Sequence, residues 1–262
     1  MTTSTVRAGA PGRAALVHVA RELLDLVLPV TCAGCGTPGR PLCPGCLDRF
    51  AGPPRRCERA AGRLDRMDGT TVPVWALAEN DGAVRRAVVA WKDRGRADVT
   101  PWFAAALRRA GPTVRGEVPR GVPDGVPPLL VVPAPPSPRG RSRRGEDLVG
   151  ALARAVAAGL GGTVALPALR LSGAGRDQVG LGVRGRATNL AGRVRVRRRA
   201  RPALAGARVL LVDDVLTTGA TLAACRSALE SAGAHVAGGL VLAVTRPPGS
   251  PTGWLEASAN PG

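Results

Sequence analysis

The chain alternates between short runs of apolar residues and longer segments that have apolar residues at helical spacing. The apolar or alternating runs predict strands at 72–78, 129–133, 164–171, 193–197, 209–212 and 234–244. The segments with apolar residues three and four positions apart predict helices at 14–28, 81–91, 100–110, 146–160 and 222–229. The run 209–212 has no polar alternation, which is typical of a strand buried on both faces of a sheet. Residues 111–128 are rich in glycine and proline and predict a loop.

The most informative stretch begins at this buried strand. Two carboxylates, Asp213 and Asp214, close the strand, and a polar loop leads into the next helix. The residues at this junction are Thr217, Thr218, Gly219, Ala220 and Thr221. Backbone N–H groups at a helix start attract anions, and adjacent carboxylates accept hydrogen bonds from sugar hydroxyls. The stretch therefore predicts a site for a ribose 5-phosphate, with carboxylates suited to the waters of Mg²⁺. The alternative, an ordinary capped helix, needs one hydroxyl and no acid pair.

Four of the six cysteines form two closely spaced pairs. Cys32 and Cys35 make the first Cys-x-x-Cys, and Cys43 and Cys46 make the second. Two such pairs complete a tetrahedral zinc site that leaves no open position for catalysis, so the spacing predicts a structural zinc. A redox pair and free thiols are the alternative interpretations, although the βαβ context of a thioredoxin-like pair is missing.

The charge of the chain points to a polyanionic partner. The net charge is +18, and acidic residues are few, which an arginine-favouring codon usage does not explain. The arginine-rich run 193–201 predicts a patch that binds DNA phosphates, and a solvated edge strand is an equally good interpretation. Aromatic residues make up only 2% of the chain, which leaves little for base stacking.

No stretch predicts a membrane span or a signal peptide. Charged residues interrupt the most apolar segment, 14–30, and the first residues lack an apolar core followed by a cleavage site. We therefore expect a cytoplasmic protein, whose cysteines remain thiols or metal ligands.

Three polar segments supply further candidate ligands for a phosphorylated sugar. Lys92, the only lysine, follows the predicted helix 81–91 and offers a compact charge. Arg144 lies in an arginine-rich loop after the strand 129–133, and arginines pair well with phosphates. Residues 172–191 are polar and too long for an inert connection, and they predict a lid that carries Gln178, Arg186 and Asn189. A solvated helix end and a solvated basic loop are the alternatives for the first two.

The order of these motifs resembles the ComF family of bacterial competence-associated, phosphoribosyltransferase-like proteins. The stretch from Asp213 to Thr221 resembles the phosphoribosyl-pyrophosphate (PRPP) signature of type I phosphoribosyltransferases. The other matching features are the apolar helix ending at Pro29, the two cysteine pairs, Trp91–Lys92 with Gly95, Arg144–Gly145, and Gln178 with Arg186 and Asn189. The resemblance implies an α/β fold of the type I phosphoribosyltransferase kind. Its mostly parallel sheet would be flanked by helices and joined to a small N-terminal zinc module.

The resemblance also implies a function. PRPP or a related ribose phosphate would bind with Mg²⁺, the acids contacting the ribose hydroxyls and the loop cradling the 5-phosphate. Lys92, Arg144, Gln178, Arg186 and Asn189 would form the pyrophosphate side and the lid. The family role is accessory to DNA uptake, with proteins of the uptake machinery as partners. The alternative is an active phosphoribosyltransferase of nucleotide salvage.

Two departures from the family pattern bear on these expectations. Cys57 lacks the partner cysteine that the family often has, and the family's Arg-Gly-Phe-Asn-Gln becomes Arg-Gly-Glu-Asp-Leu from Arg144 onward. The second departure weakens a catalytic role for that loop. The expected organisation is a disordered 1–13, a helix plus zinc module at 14–56 and a linker at 57–71. The phosphoribosyltransferase-like domain would span 72–247, and 248–262 would be a disordered tail.

Overall fold

The structure, a computed structural model, describes residues 30–64, 71–118, 128–136, 147–172, 192–251, 253 and 255. The strands are β1 (Arg55–Arg56), β2 (Val74–Glu79), β3 (Leu129–Pro133), β4 (Val164–Ala165), β5 (Leu169–Leu171), β6 (Val194–Val196), β7 (Arg208–Leu216) and β8 (His235–Val244). The helices are α1 (Pro44–Leu47), α2 (Gly82–Asp93), α3 (Thr100–Glu117), α4 (Leu148–Leu160), α5 (Arg201–Leu204) and α6 (Ala220–Glu230). Within these residues, no helix is long and apolar enough to cross a membrane. The predicted helix 14–28 and the segment 1–13 lie outside them.

A six-stranded, mostly parallel sheet forms the centre of the molecule. Its strand order is β1-β2-β8-β7-β3-β4, and only β1 runs antiparallel to its neighbour. The chain passes from β3 outward to β4, but from β7 in the opposite direction to β8. Such a reversal opens a crevice at the carboxyl ends of β3 and β7, where open α/β sheets bind their ligands. The predicted α/β class is confirmed.

Each face of the sheet carries its own apolar core. On one face, α2, α3 and α4 pack on β7 through Trp91, Phe103 and Leu152. On the other face, α6, the strands β5 and β6, and the turn Glu58–Leu64 pack together around Leu216 and Leu229. Because both faces are covered, β7 is apolar at every position from 209 to 212, as predicted for that run.

The cysteine module, residues 30–50, is part of the first core rather than a detached unit. Leu42 and Phe50 are almost fully buried, and the Phe50 ring lies 5.1 Å from the Phe103 ring of α3. The module therefore has a fixed position against α2 and α3.

Helix α3 corrects the prediction that 111–128 is a loop, because the helix continues through Gly111 and Pro112 to Glu117. Proline has no N–H, so the carbonyl of Arg108 receives no helical hydrogen bond from position 112. Gly159 of α4 lies directly against that carbonyl, and Gly111 lies against the Gly159 backbone. The two glycines let the helices touch backbone to backbone, and this packing offsets the cost of the proline.

The predicted strand 164–171 is two strands in different sheets. β4 pairs with β3 at the edge of the main sheet, whereas β5 pairs with β6 in a separate two-stranded sheet. Pro167 lies between them and has no N–H to continue a ladder of hydrogen bonds.

Parts of the predicted linker and tail are packed. Cys57, Ala61 and Leu64 are buried in the second core, and so is Leu255. The Leu255 N–H donates to Glu79 Oε1 at the end of β2 over 2.6 Å. In the sequence these few apolar residues stand among polar ones and show no helical or strand periodicity. The exact domain boundaries remain predictions.

Candidate ligand site at the end of β7

The acid pair lies within β7, which continues past it to Leu216 instead of ending before it. Both carboxylates are buried, with Asp213 at 9% and Asp214 at 5% of full exposure. Strand alternation turns them to opposite faces: Asp214 toward α2, and Asp213 toward α6. Each carboxylate accepts the N–H of the next residue, Asp213 from Asp214 over 2.8 Å and Asp214 from Val215 over 2.7 Å.

Lys92 reaches the acid pair from the last turn of α2. Its Nζ lies 2.6 Å from Asp214 Oδ2 and 2.8 Å from Asp214 Oδ1. Burial lowers the pKa of Lys92, but the charges of Asp214 and Asp213 more than offset this and raise it. The ammonium is thus a counter-charge to the acid pair, and its side chain is 43% exposed.

Asp213 has a different environment from its neighbour. Burial, and then the charge of Asp214, raise the pKa of Asp213 to about 7. A buried carboxylate of this kind is stabilised by hydroxyl donors or by a cation, because either replaces the water that it lost.

The loop after β7 forms an open helix start. Gly219 adopts a left-handed conformation with φ of 74° and precedes Ala220, the first residue of α6. Among the described residues no side chain caps this helix, and Thr217 and Thr218 are exposed. A Cβ on Gly219 would lie 3.1 Å from the Ala61 Cα, so the loop leans directly on the turn Glu58–Leu64. The uncapped N–H groups and the threonine hydroxyls can together hold a phosphate.

Arg144, Gln178, Arg186 and Asn189 lie outside the described residues, as does nearly all of the predicted lid. Their roles therefore remain predictions. β3 ends next to β7, so the described residues after β3 leave the sheet at the same crevice.

The four predicted zinc ligands come together. Their sulfur atoms all lie within 4.8 Å of one another, and Cys35 Sγ is 3.5 Å from Cys43 Sγ. Tetrahedral zinc with Zn–S bonds of about 2.3 Å requires sulfurs about 3.8 Å apart, so the geometry fits. The N–H of Cys43 points to Cys32 Sγ over 3.3 Å.

The thiols are electrostatically suited to a cation. Burial raises the pKa of Cys32, but the backbone N–H groups of Cys43, Cys35 and Gly34 outweigh it and bring the pKa to about 6. Burial, followed by the neighbouring thiols, raises the pKa of Cys46 far above its ordinary value. Four crowded thiolates would repel one another, and a bound cation would relieve that repulsion.

We expect one zinc per chain, measured by elemental analysis of protein purified without added metal. Cys46→Ser should lower the zinc content well below that of the parent, because a neutral hydroxyl replaces one of the four thiolates. Cys57→Ala is the matched control, since this buried cysteine lies outside the cluster. A folded, metal-free parent protein would contradict the prediction.

A separate cavity of about 320 Å³ lies between the cysteine module and the end of β2. Its walls include Asp48, Arg49, Glu79, Asp81 and Leu255. None of the site residues that the structure describes lines it, so the acid pair lies outside this cavity.

One family model matches the part of the chain that contains β7. Residues 142–255 match the family model of the phosphoribosyl transferase domain. The matched part contains α4, β7, the threonine loop, α6 and β8, but neither Lys92 nor the cysteine module. A search of curated proteins found no match.

Proposed function

We propose that the phosphoribosyl transferase domain present at residues 142–255 binds PRPP, or a related ribose phosphate, at the end of β7. Asp213 and Asp214 accept hydrogen bonds from the ribose hydroxyls. The N–H groups and hydroxyls between Thr217 and Thr221 hold the 5-phosphate. Lys92 faces the diphosphate, and Arg144, Gln178, Arg186 and Asn189 complete the pyrophosphate side and the lid.

One observation supports this proposal above the others. A buried acid pair and a glycine-led helix start, separated by four residues, lie at a topological reversal of the sheet. An anion alone would avoid the carboxylates, and a sugar alone would not need the helix start. A phosphorylated sugar uses both.

Mg²⁺ fits the same residues. The carboxylates are hard oxygen ligands, and one of them is already neutralised by Lys92. The cation supplies positive charge between the diphosphate and the acid pair. Asp213, which burial leaves poorly solvated, is the residue best placed to hold a magnesium-bound water.

The test is a calorimetric titration of the intact protein with PRPP and Mg²⁺. Ribose 5-phosphate and pyrophosphate serve as comparison ligands. PRPP binding should be saturable, stronger than that of either fragment and dependent on Mg²⁺. If PRPP binds no better than pyrophosphate, the acid pair does not recognise the sugar and the proposal is wrong.

The resemblance to the ComF family further suggests an accessory role in DNA uptake, and one surface favours it. β5 and β6 place Arg170 directly opposite Arg195, both exposed, while their valines and leucines face the core. Like charges at opposed positions of a sheet repel each other. A polyanion such as DNA would relieve this repulsion.

The arginines of the predicted run 193–201 differ in their surroundings. Arg197 donates through Nε to the carbonyl of Leu169 over 3.2 Å and so supports the small sheet. Arg195, Arg198 and Arg199 are exposed and continue the basic surface. Arg197 therefore has a structural role, whereas Arg195, Arg198 and Arg199 are exposed enough to contact phosphates.

Changing Arg195, Arg198 and Arg199 to glutamine should flatten the dependence of log DNA affinity on log salt by about 2–3 units. Each contacted phosphate releases close to one counterion, which accounts for the size of the change. Fluorescence anisotropy with a labelled oligonucleotide at several salt concentrations measures it. Arg108→Gln with Arg109→Gln is the control, because these exposed residues lie on α3, which covers the other face of the sheet. Equal slopes would mean that the basic strand is only a solvated edge.

The alternative is catalysis of phosphoribosyl transfer. A Mg²⁺-dependent release of pyrophosphate from PRPP in the presence of a nucleobase would favour it over a binding role. The position of Lys92 near the acid pair is compatible with charge stabilisation of a leaving diphosphate.

A further inference from the structure

We infer that Arg86 is a positioning residue that connects the four-cysteine centre to Lys92, and through Lys92 to Asp214. The inference concerns the protein without ligand and holds whether or not PRPP is what the site binds. It assigns a role to the metal centre beyond local folding: that of fixing the charge partner of the acid pair.

Helix α2 is the element that the two sites share. Its first turn meets the first cysteine knuckle, where a Cβ on Gly34 would lie 3.1 Å from the Ala83 carbonyl oxygen and 2.8 Å from Cys46 Sγ. Its last turn carries Lys92, which holds Asp214. A helix rises about 1.5 Å per residue, so the contacts at the two ends are about 15 Å apart along one rigid rod.

Two arginines connect α2 to the cysteine module through hydrogen bonds. Arg86 donates through Nε to the carbonyl of Gly34, between the first two cysteines, over 2.6 Å. Arg96, just beyond the helix, donates through Nη2 to the carbonyl of Thr31 over 2.8 Å and is held by Asp98. Both acceptors are backbone atoms adjacent to Cys32 and Cys35, so their positions depend on how the knuckle is folded.

A bound metal would determine how the first cysteine knuckle folds. Thiolates without a metal repel one another, and the binding of a structural zinc stabilises the closed knuckles. If the knuckle opens, the carbonyl of Gly34 moves, Arg86 loses its acceptor, and the first turn of α2 loses its contact. Lys92 has a long, half-exposed side chain and one strong partner, so a shift of α2 pulls it away from Asp214.

The chain offers an unusually direct test because Lys92 is its only lysine. The acylation rate of the Lys92 amine, followed by peptide mass spectrometry with acetic anhydride, reports whether the ion pair is intact. The α-amino group of the same protein is the internal reference. Asp214→Asn removes the partner directly and gives the rate of an unpaired Lys92.

In zinc-loaded Arg86→Ala, we expect Lys92 to be acylated at least about threefold faster than in the parent, because an amine that has left the Asp214 carboxylate is more accessible to the reagent. Chelation of zinc from the parent should raise the rate in the same way. Arg85→Ala, an exposed neighbour on the same helix, should leave it unchanged. Restoring zinc to the chelated protein should restore protection.

The inference is wrong if Lys92 is equally protected in the folded parent and in folded Arg86→Ala. It is also wrong if Arg85→Ala exposes Lys92 as much as Arg86→Ala does. Should Arg86→Ala not fold, Arg96→Ala with zinc bound decides in its place. No sugar phosphate enters the experiment, so its failure is distinct from the failure of PRPP binding.

Discussion

Changing Asp213 and Asp214 together to asparagine should weaken PRPP binding by at least about 100-fold. Each carboxylate that accepts a ribose hydroxyl contributes about 1.5–3 kcal/mol as a charge-assisted hydrogen bond. Two such bonds amount to about 3–6 kcal/mol, which is two or more powers of ten in the dissociation constant. Calorimetry with saturating Mg²⁺ measures the change.

The fold should tolerate this double substitution. The asparagine Oδ1 can still accept the N–H groups that Asp213 and Asp214 now accept, and two buried like charges disappear. Lys92 loses its partner but is exposed enough to be solvated. Thermal unfolding should therefore change little, and Asp81→Asn, an exposed acid outside the site, is the matched control. If the folded double variant binds PRPP with unchanged affinity, the two acids do not belong to the binding site.

The second large effect is expected at the crossing of α3 and α4. Gly159→Ala should destabilise the protein by about 2–3 kcal/mol, although alanine ordinarily favours a helix by about 1 kcal/mol. The added methyl would overlap the carbonyl of Arg108, which lies one turn before Pro112. Relief requires the two helices to separate and to lose packing around Leu107 and Leu152.

Urea denaturation gives the free energy of unfolding directly. Gly116→Ala is a suitable control, because this glycine also lies in α3 and its Cβ would meet nothing within 4 Å. That control should be neutral or slightly stabilising. If Gly159→Ala behaves in the same way, the backbone contact of the two helices is not tight.

Local chemistry predicted the acid pair, the threonine loop and the cysteine cluster, because each is contiguous and made of side chains with a specific use. The contact of Lys92 with Asp214 spans 122 residues, and no local pattern specifies it. A role for Lys92 could be predicted, since it is the one lysine of an arginine-rich chain. That Asp214 is its partner could not be predicted.

Elements were missed where tertiary packing outweighs local preference. Gly111 and Pro112 predict a loop. The helix nevertheless continues, because Gly159 has no side chain and lets the backbones of α3 and α4 pack closely. The polar stretch after Cys57 supplies Ala61 and Leu64 to a core that forms only when α6 is in place. In both cases the deciding residues lie far away in the sequence.

The order of strands has a consequence for how the molecule is made. β8 is the last of the described strands along the chain, and it lies between β2 and β7 and pairs with both. Until residue 244 has left the ribosome, β2 and β7 have no common neighbour. The edges of β2 and β7 that pair with β8 in the folded protein are unpaired until then. Such long-range parallel pairing is slow, and the waiting chain is prone to aggregate. We therefore expect a chain that ends before β8 to be insoluble rather than partly folded.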